Sequence, residues 1–159
     1  MKFPDKVTVT AFDSGTGREI AEVAFVLWLK AQKKNDYFVG PIITDRHGQA
    51  IFTRDACERS IARAQEMFIM DYAGDLLSCK PTADLRLHTP ENISTMINQY
   101  EAVPSFWGGA FDNPQELFRA LRSVRNSLFE PFHLAVEEND ILEHPAVSCF
   151  LRRKSGVAL

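Results

Sequence analysis

The chain has 159 residues, 45% hydrophobic and 25% charged, with 18 basic and 21 acidic side chains and a formal net charge of −3. This is the composition of one folded domain, and it excludes a disordered, collagen-like or coiled-coil chain. Residues 1–80 carry 11 basic and 11 acidic side chains and residues 81–159 carry 7 and 10, so neither half has the electrostatic footprint of a nucleic-acid binder.

Val7-Thr8-Val9-Thr10-Ala11-Phe12 alternates with period two, which predicts a strand burying Val7, Val9 and Ala11. Asp13-Ser14-Gly15-Thr16-Gly17 reads as a turn. Val23 to Leu29 is apolar at every position, the pattern of a strand covered on both faces. That run is too short to span a bilayer. Met1 to Lys6 has no apolar stretch behind a basic start, so no signal peptide is expected. The expectation is a soluble, cytoplasmic protein without membrane contact. Tyr37 to Thr44 follows as an extended segment, with Pro41 marking an edge or a bulge because it cannot donate a ladder bond. Asp45-Arg46-His47-Gly48 predicts a hairpin turn, with Gln49 to Phe52 returning as the partner strand.

Thr53 caps a helix whose apolar stripe is Cys57, Ile61, Ala64, Phe68 and Tyr72, closed by Gly74. Ala83 to His88 alternates, with Leu85 and Leu87 inward and His88 on the polar face. Thr89-Pro90-Glu91 opens a second helix that buries Ile93, Met96, Ile97 and Tyr100. Val103 to Asp112 reads as a loop. Asn113 and Glu116 form a capping-box pattern that opens a third helix, with Leu117, Leu121, Val124 and Leu128 as its core stripe and Pro131 ending or kinking it. Phe132 to Glu138 reads as a further helical turn, and Ala146 to Leu151 as a closing strand with Val147, Cys149 and Leu151 on one face. The domain thus divides into a β-rich part (7–53), a mainly helical part (54–138) holding a strand near 83–88, the closing strand (146–151) and a solvated basic tail (152–159).

Thr16-Gly17-Arg18-Glu19-Ile20-Ala21-Glu22-Val23 and Thr44-Asp45-Arg46-His47-Gly48-Gln49-Ala50-Ile51-Phe52 resemble the prealbumin-like (transthyretin-like, carboxypeptidase regulatory-like) β-sandwiches. Those domains show a glycine turn before a strand opening on valine, then a "T-D-x-x-G-x-a-x-F" hairpin. The resemblance spans residues 7 to 53. The 54–72 helix is longer than the family's, and 90–138 has no counterpart in it. The histidine-and-arginine active site of the hydrolytic branch is not matched. The resemblance implies an α+β domain, a small antiparallel prealbumin-like sandwich with inserted and appended helices, in an accessory or interaction role.

Three cysteines, Cys57, Cys79 and Cys149, form no C-x-x-C, and the four histidines form no H-E-x-x-H, so no disulfide framework, metal site or cofactor is expected. Cys57 and Cys149 fall on buried faces, where a thiol packs as a small hydrophobe. Two features suggest a surface for another protein or a second copy of the chain. One is the aromatic loop with Phe106, Trp107 and Phe111, since bulky aromatics anchor interfaces. The other is Arg119, Arg122 and Arg125, one turn apart on the third helix. The leading expectation is a non-enzymatic interaction module. The alternative is a ligand-binding or hydrolase-type pocket near Arg86 and His88, with Cys79.

Overall fold

A computed structural model describes residues 5–30, 36–60, 82–108, 111–136 and 146–156. The alternating segment forms β1 (Lys6–Asp13), with Val7, Val9 and Ala11 almost wholly buried as their period requires. β2 (Ala24–Lys30) pairs antiparallel with β3 (Asp36–Ile43), and β4 (Gln49–Thr53) pairs antiparallel with β1. β3 and β4 are therefore not hairpin partners. The Asp45–Gly48 turn forms as expected: Asp45 accepts from the N–H groups of His47 (2.8 Å) and Gln49 (3.0 Å), and Gly48 has φ +76°. Turn chemistry fixes that local conformation, but here it carries the chain from one sheet to the other. Thr44 holds the corner, accepting from the Val23 N–H and donating to the Ile20 carbonyl. β3 is an edge strand, and Gly40 and Pro41 fall where its register with β2 shifts.

Residues 54–60 are helical (α1), and Thr53 Oγ1 accepts from the Ala56 N–H as an N-cap does. The remainder of that expected stripe, Ile61 to Tyr72, lies outside the described residues, as do Gly74 and Cys79. β5 (Thr82–Leu87) pairs antiparallel with β2 and with β6 (His133–Val136). β6 replaces the helical turn expected from Phe132 onward. α2 (Pro90–Ala102) starts at the Thr89 cap with Pro90 at its head. α3 (Ser105–Gly108) is a short helix where a loop was expected. α4 (Pro114–Leu121) is capped by Asn113, which also donates to the Glu116 carboxylate. It ends ten residues short of Pro131, and a 3₁₀ turn, Asn126–Leu128, follows.

β7 (Ala146–Leu151) completes an α+β fold with two sheets, one ordered β4-β1-β7 and the other β3-β2-β5-β6. The pairing is antiparallel except between β1 and β7, which run parallel, a departure from the all-antiparallel expectation. Val9, Phe52 and Leu151 of the first sheet and Phe25, Leu27 and Leu85 of the second share one buried cluster. On the other side of the second sheet, Ala24 packs with Ile93 and Met96 of α2 and Phe118 and Leu121 of α4. β2 is thus buried on both faces, as its unbroken apolar run requires. No helix among the described residues is long and apolar enough to cross a membrane.

Candidate functional site

The aromatic segment divides between surface and interior. Trp107 is half-buried: its Nε1–H donates to Gln99 Oε1 at 2.9 Å, and its ring meets Phe38 edge-on at 6.1 Å. Phe111 turns inward onto Phe118 at 6.1 Å. Phe106 remains 40% exposed, its ring edge-on to Trp107 at 5.1 Å. One aromatic of the segment therefore faces solvent while two support the second core cluster.

The arginine stripe does not form. α4 stops at Leu121, so only Arg119 lies within it; Arg122 is its C-cap residue and Arg125 precedes the 3₁₀ turn. Arg122 pairs with Glu101 of α2 and reaches the Phe118 carbonyl at 3.4 Å. The Arg125 backbone N–H donates to the Glu22 carbonyl at 2.8 Å. The 117–128 apolar spacing suggested one continuous helix, but Leu128 packs in the first core cluster and Val124 in the second. α4 buries Phe118 and Leu121; the expected stripe held Leu121 and omitted Phe118.

The residues of the pocket alternative also separate. His88 follows β5 and was expected on a polar face. It is instead 7% exposed beneath α2, with Nε2 at 3.3 Å from Met96 Sδ. Burial alone pushes its pKa down to about 4, so the imidazole is neutral at pH 7. Arg86 points to the surface, and Cys79 lies outside the described residues. Cys57 and Cys149 are buried, with burial first pushing both thiols up to about 12, so neither is a nucleophile at neutral pH.

The structure instead joins Arg86 to the aromatic segment. Arg86 and Asp84 alternate with the core-facing Leu85 and Leu87, so they lie on the outer face of the second sheet. The Asp84 carboxylate is 5% exposed and uses one oxygen, Oδ2, for Arg86 Nη2 at 3.4 Å and His133 Nε2 at 3.3 Å. The Arg86 guanidinium lies over the Trp28 ring, 5.0 Å from its centre. Trp28 contacts Phe38 at 5.7 Å, Phe38 meets Trp107, and Trp107 meets Phe106. A strip of rings thus runs from a cation held by a carboxylate to an exposed phenyl group. Sequence reasoning missed Asp84, Trp28, Phe38 and His133, because β2, β3, β5 and β6 supply them. The only advance signal was the alternation of β5, which puts Asp84 beside Arg86 on one face.

Among the described residues no group of three or more histidine, cysteine, aspartate or glutamate side chains is placed to hold a metal ion. No protein-family model and no curated protein matches the chain. A solved structure, the "9R-lipoxygenase from Cyanothece PCC8801", is similar to it at 11% identity and a TM-score of 0.35. The match covers 93% of this chain and 16% of the lipoxygenase, so this chain spans about one sixth of that protein's length. A likeness at that TM-score carries no argument about fold or activity.

Proposed function

We propose that the protein is a non-enzymatic interaction module that docks another protein on the Arg86–Trp28–Phe38–Trp107–Phe106 strip. One observation carries this reading: Phe106 is 40% exposed at the end of ring contacts that continue to Arg86. An aromatic anchor beside an oriented guanidinium is the combination that dominates many interface hot spots. The underlying rings are held by one another and by Gln99, so little side-chain freedom remains to be lost on docking. The accessory role implied by the prealbumin-like resemblance belongs to the same proposal; the Gly17 and Asp45–Gly48 turns of the resembling segments form, while β3 and β4 lie in different sheets.

The test compares capture from the protein's own cells by the tagged full chain and by a Phe106→Ala/Arg86→Ala double variant. Trp107 is left intact because its removal would open the second core cluster. The variant should lose the captured partner while its melting temperature falls only modestly, since Phe106 is exposed and the Asp84 carboxylate keeps His133 when Arg86 is removed. Capture of the same proteins by both chains, at equal yield, would overturn the reading.

A further inference from the structure

Among the described residues, the outward edge of β7 has no strand partner over a defined length. In a parallel ladder the N–H and C=O of alternate residues point to the same side. Ser14 N–H bonds the Leu151 carbonyl, so Leu151, Cys149 and Val147 address β1. Arg152 and Lys154 address the opposite side, and there the Arg152 carbonyl accepts from Glu130 N–H (2.7 Å) and the Lys154 N–H donates to Leu128 (3.0 Å). Ala146, Ser148 and Phe150 follow the same alternation and also point away from β1. Among the described residues no strand takes their hydrogen bonds, because β7 stands at the end of its sheet.

The other edges are β4, which has five residues, β3 and β6. β3 has Pro41 and a register shift, and β6 has four residues. β7 has neither proline, charge nor bulge, and it shows Phe150 at 58% exposure, stacked on Phe12. We propose that β7 pairs antiparallel with β7 of a second copy of this chain, about a twofold axis at Ser148, joining the two three-stranded sheets.

The second copy is favoured over another strand because the edge is complementary to itself. With Ser148 opposite Ser148 of the second copy, Ala146 falls opposite Phe150, and every outward N–H and C=O of these residues faces a partner. The large Phe150 ring then meets the smallest side chain of the strand on the exposed face, and no like charges are opposed. The free stretch is limited by the Glu130 contact at one end and by Pro145 in the sequence at the other. A second β7 has the same limits, so the strands fit without overrun. The contact is distinct from the Arg86–Phe106 strip and does not depend on the function proposed for it.

Sedimentation equilibrium of the full chain tests this. The wild type should pass from 18.0 kDa to twice that mass as concentration rises. Ser148→Lys and Ser148→Glu place like charges together on the axis, and each variant alone should remain monomeric with an unchanged melting temperature. Mixed in equal amounts, they should associate again, and the recovery should weaken with added salt. Ser148→Pro removes an N–H that β1 does not use, and it too should be monomeric. A wild type that stays monomeric to millimolar concentration, a species larger than a dimer, or a Ser148→Lys chain that dimerises like the wild type would overturn the proposal.

Discussion

His88 occupies a position that strand alternation assigns to the outer face of β5, and the alternation is obeyed. What periodicity cannot supply is the identity of the layer beyond. Here it is α2, whose Met96 thioether meets the imidazole and leaves it 7% exposed. Because burial pushes the folded pKa down to about 4, the unfolded chain takes up a proton in a range where the folded chain does not. This contribution is complete above the unfolded value near 6.5 and is lost as pH falls from there toward 4, roughly 3 kcal/mol in all. Urea unfolding at pH 7.5 and pH 4.5 should therefore show a larger loss for wild type than for His88→Gln, which cannot ionise. Equal losses in the two proteins would show that His88 does not carry the effect.

Elements are joined by a residue with no sequence signature. Asn126 lies in the 3₁₀ turn and is 1% exposed. Its Oδ1 accepts from Ala24 N–H at 2.8 Å, and its Nδ2 donates to the carbonyls of Ala24 (3.0 Å) and His88 (2.7 Å). The side chain thereby substitutes for a missing strand at the ends of β2 and β5. Asn126→Ala would leave the Ala24 N–H and the His88 carbonyl buried and without the amide, while the Ala24 carbonyl keeps the His88 N–H, at a cost of about 3 kcal/mol. Chemical denaturation should show this as a lowered midpoint with an unchanged slope, and a loss below about 1 kcal/mol would contradict the bridging role. The same region shows where sequence reading stopped. Capping at Thr89 and Asn113 was legible because side chain and N–H are three residues apart. The end of α4 was not, because apolar spacing continues through Val124 and Leu128 although these residues serve different clusters.

Across the whole molecule, local rules succeeded and pairing rules were hidden. β1, β2 and β7 were legible from alternation or unbroken apolar runs, and so was the Asp45–Gly48 turn. The sheet that each strand joins was not, since pairing depends on residues far apart in the chain. The basic tail shows the cost of reading locally. Arg153 does not lie solvated; its Nε donates to Asp13 Oδ2 at 2.6 Å across 140 residues of chain, and Arg153 bridges to Phe129. The Arg153 hydrogen bond is the largest influence holding the Asp13 carboxyl below its ordinary value, followed by the opposing effect of burial. The pair's stabilisation is therefore full above the unfolded carboxylate pKa and lost as pH falls through the lower folded value. Arg153→Met should cost about 2 kcal/mol at pH 7, since it strips a buried carboxylate of its charged partner. The variant should also lose less stability on acidification than wild type, as followed by thermal unfolding from pH 7 to pH 3.

The parallel pairing of β1 with β7 has a further consequence for how the chain reaches this state. β1 is the middle strand of its sheet, yet one flank is completed only by β7, the last strand among the described residues. On the ribosome β4 can join β1 after a modest loop, but the second flank of β1 stays open until Ala146–Leu151 has been made. Closing so long a loop carries a large entropic cost before any contact repays it. The second sheet has its β2–β3 ladder available much sooner, and the β1–β7 seam carries the larger loop-closure cost.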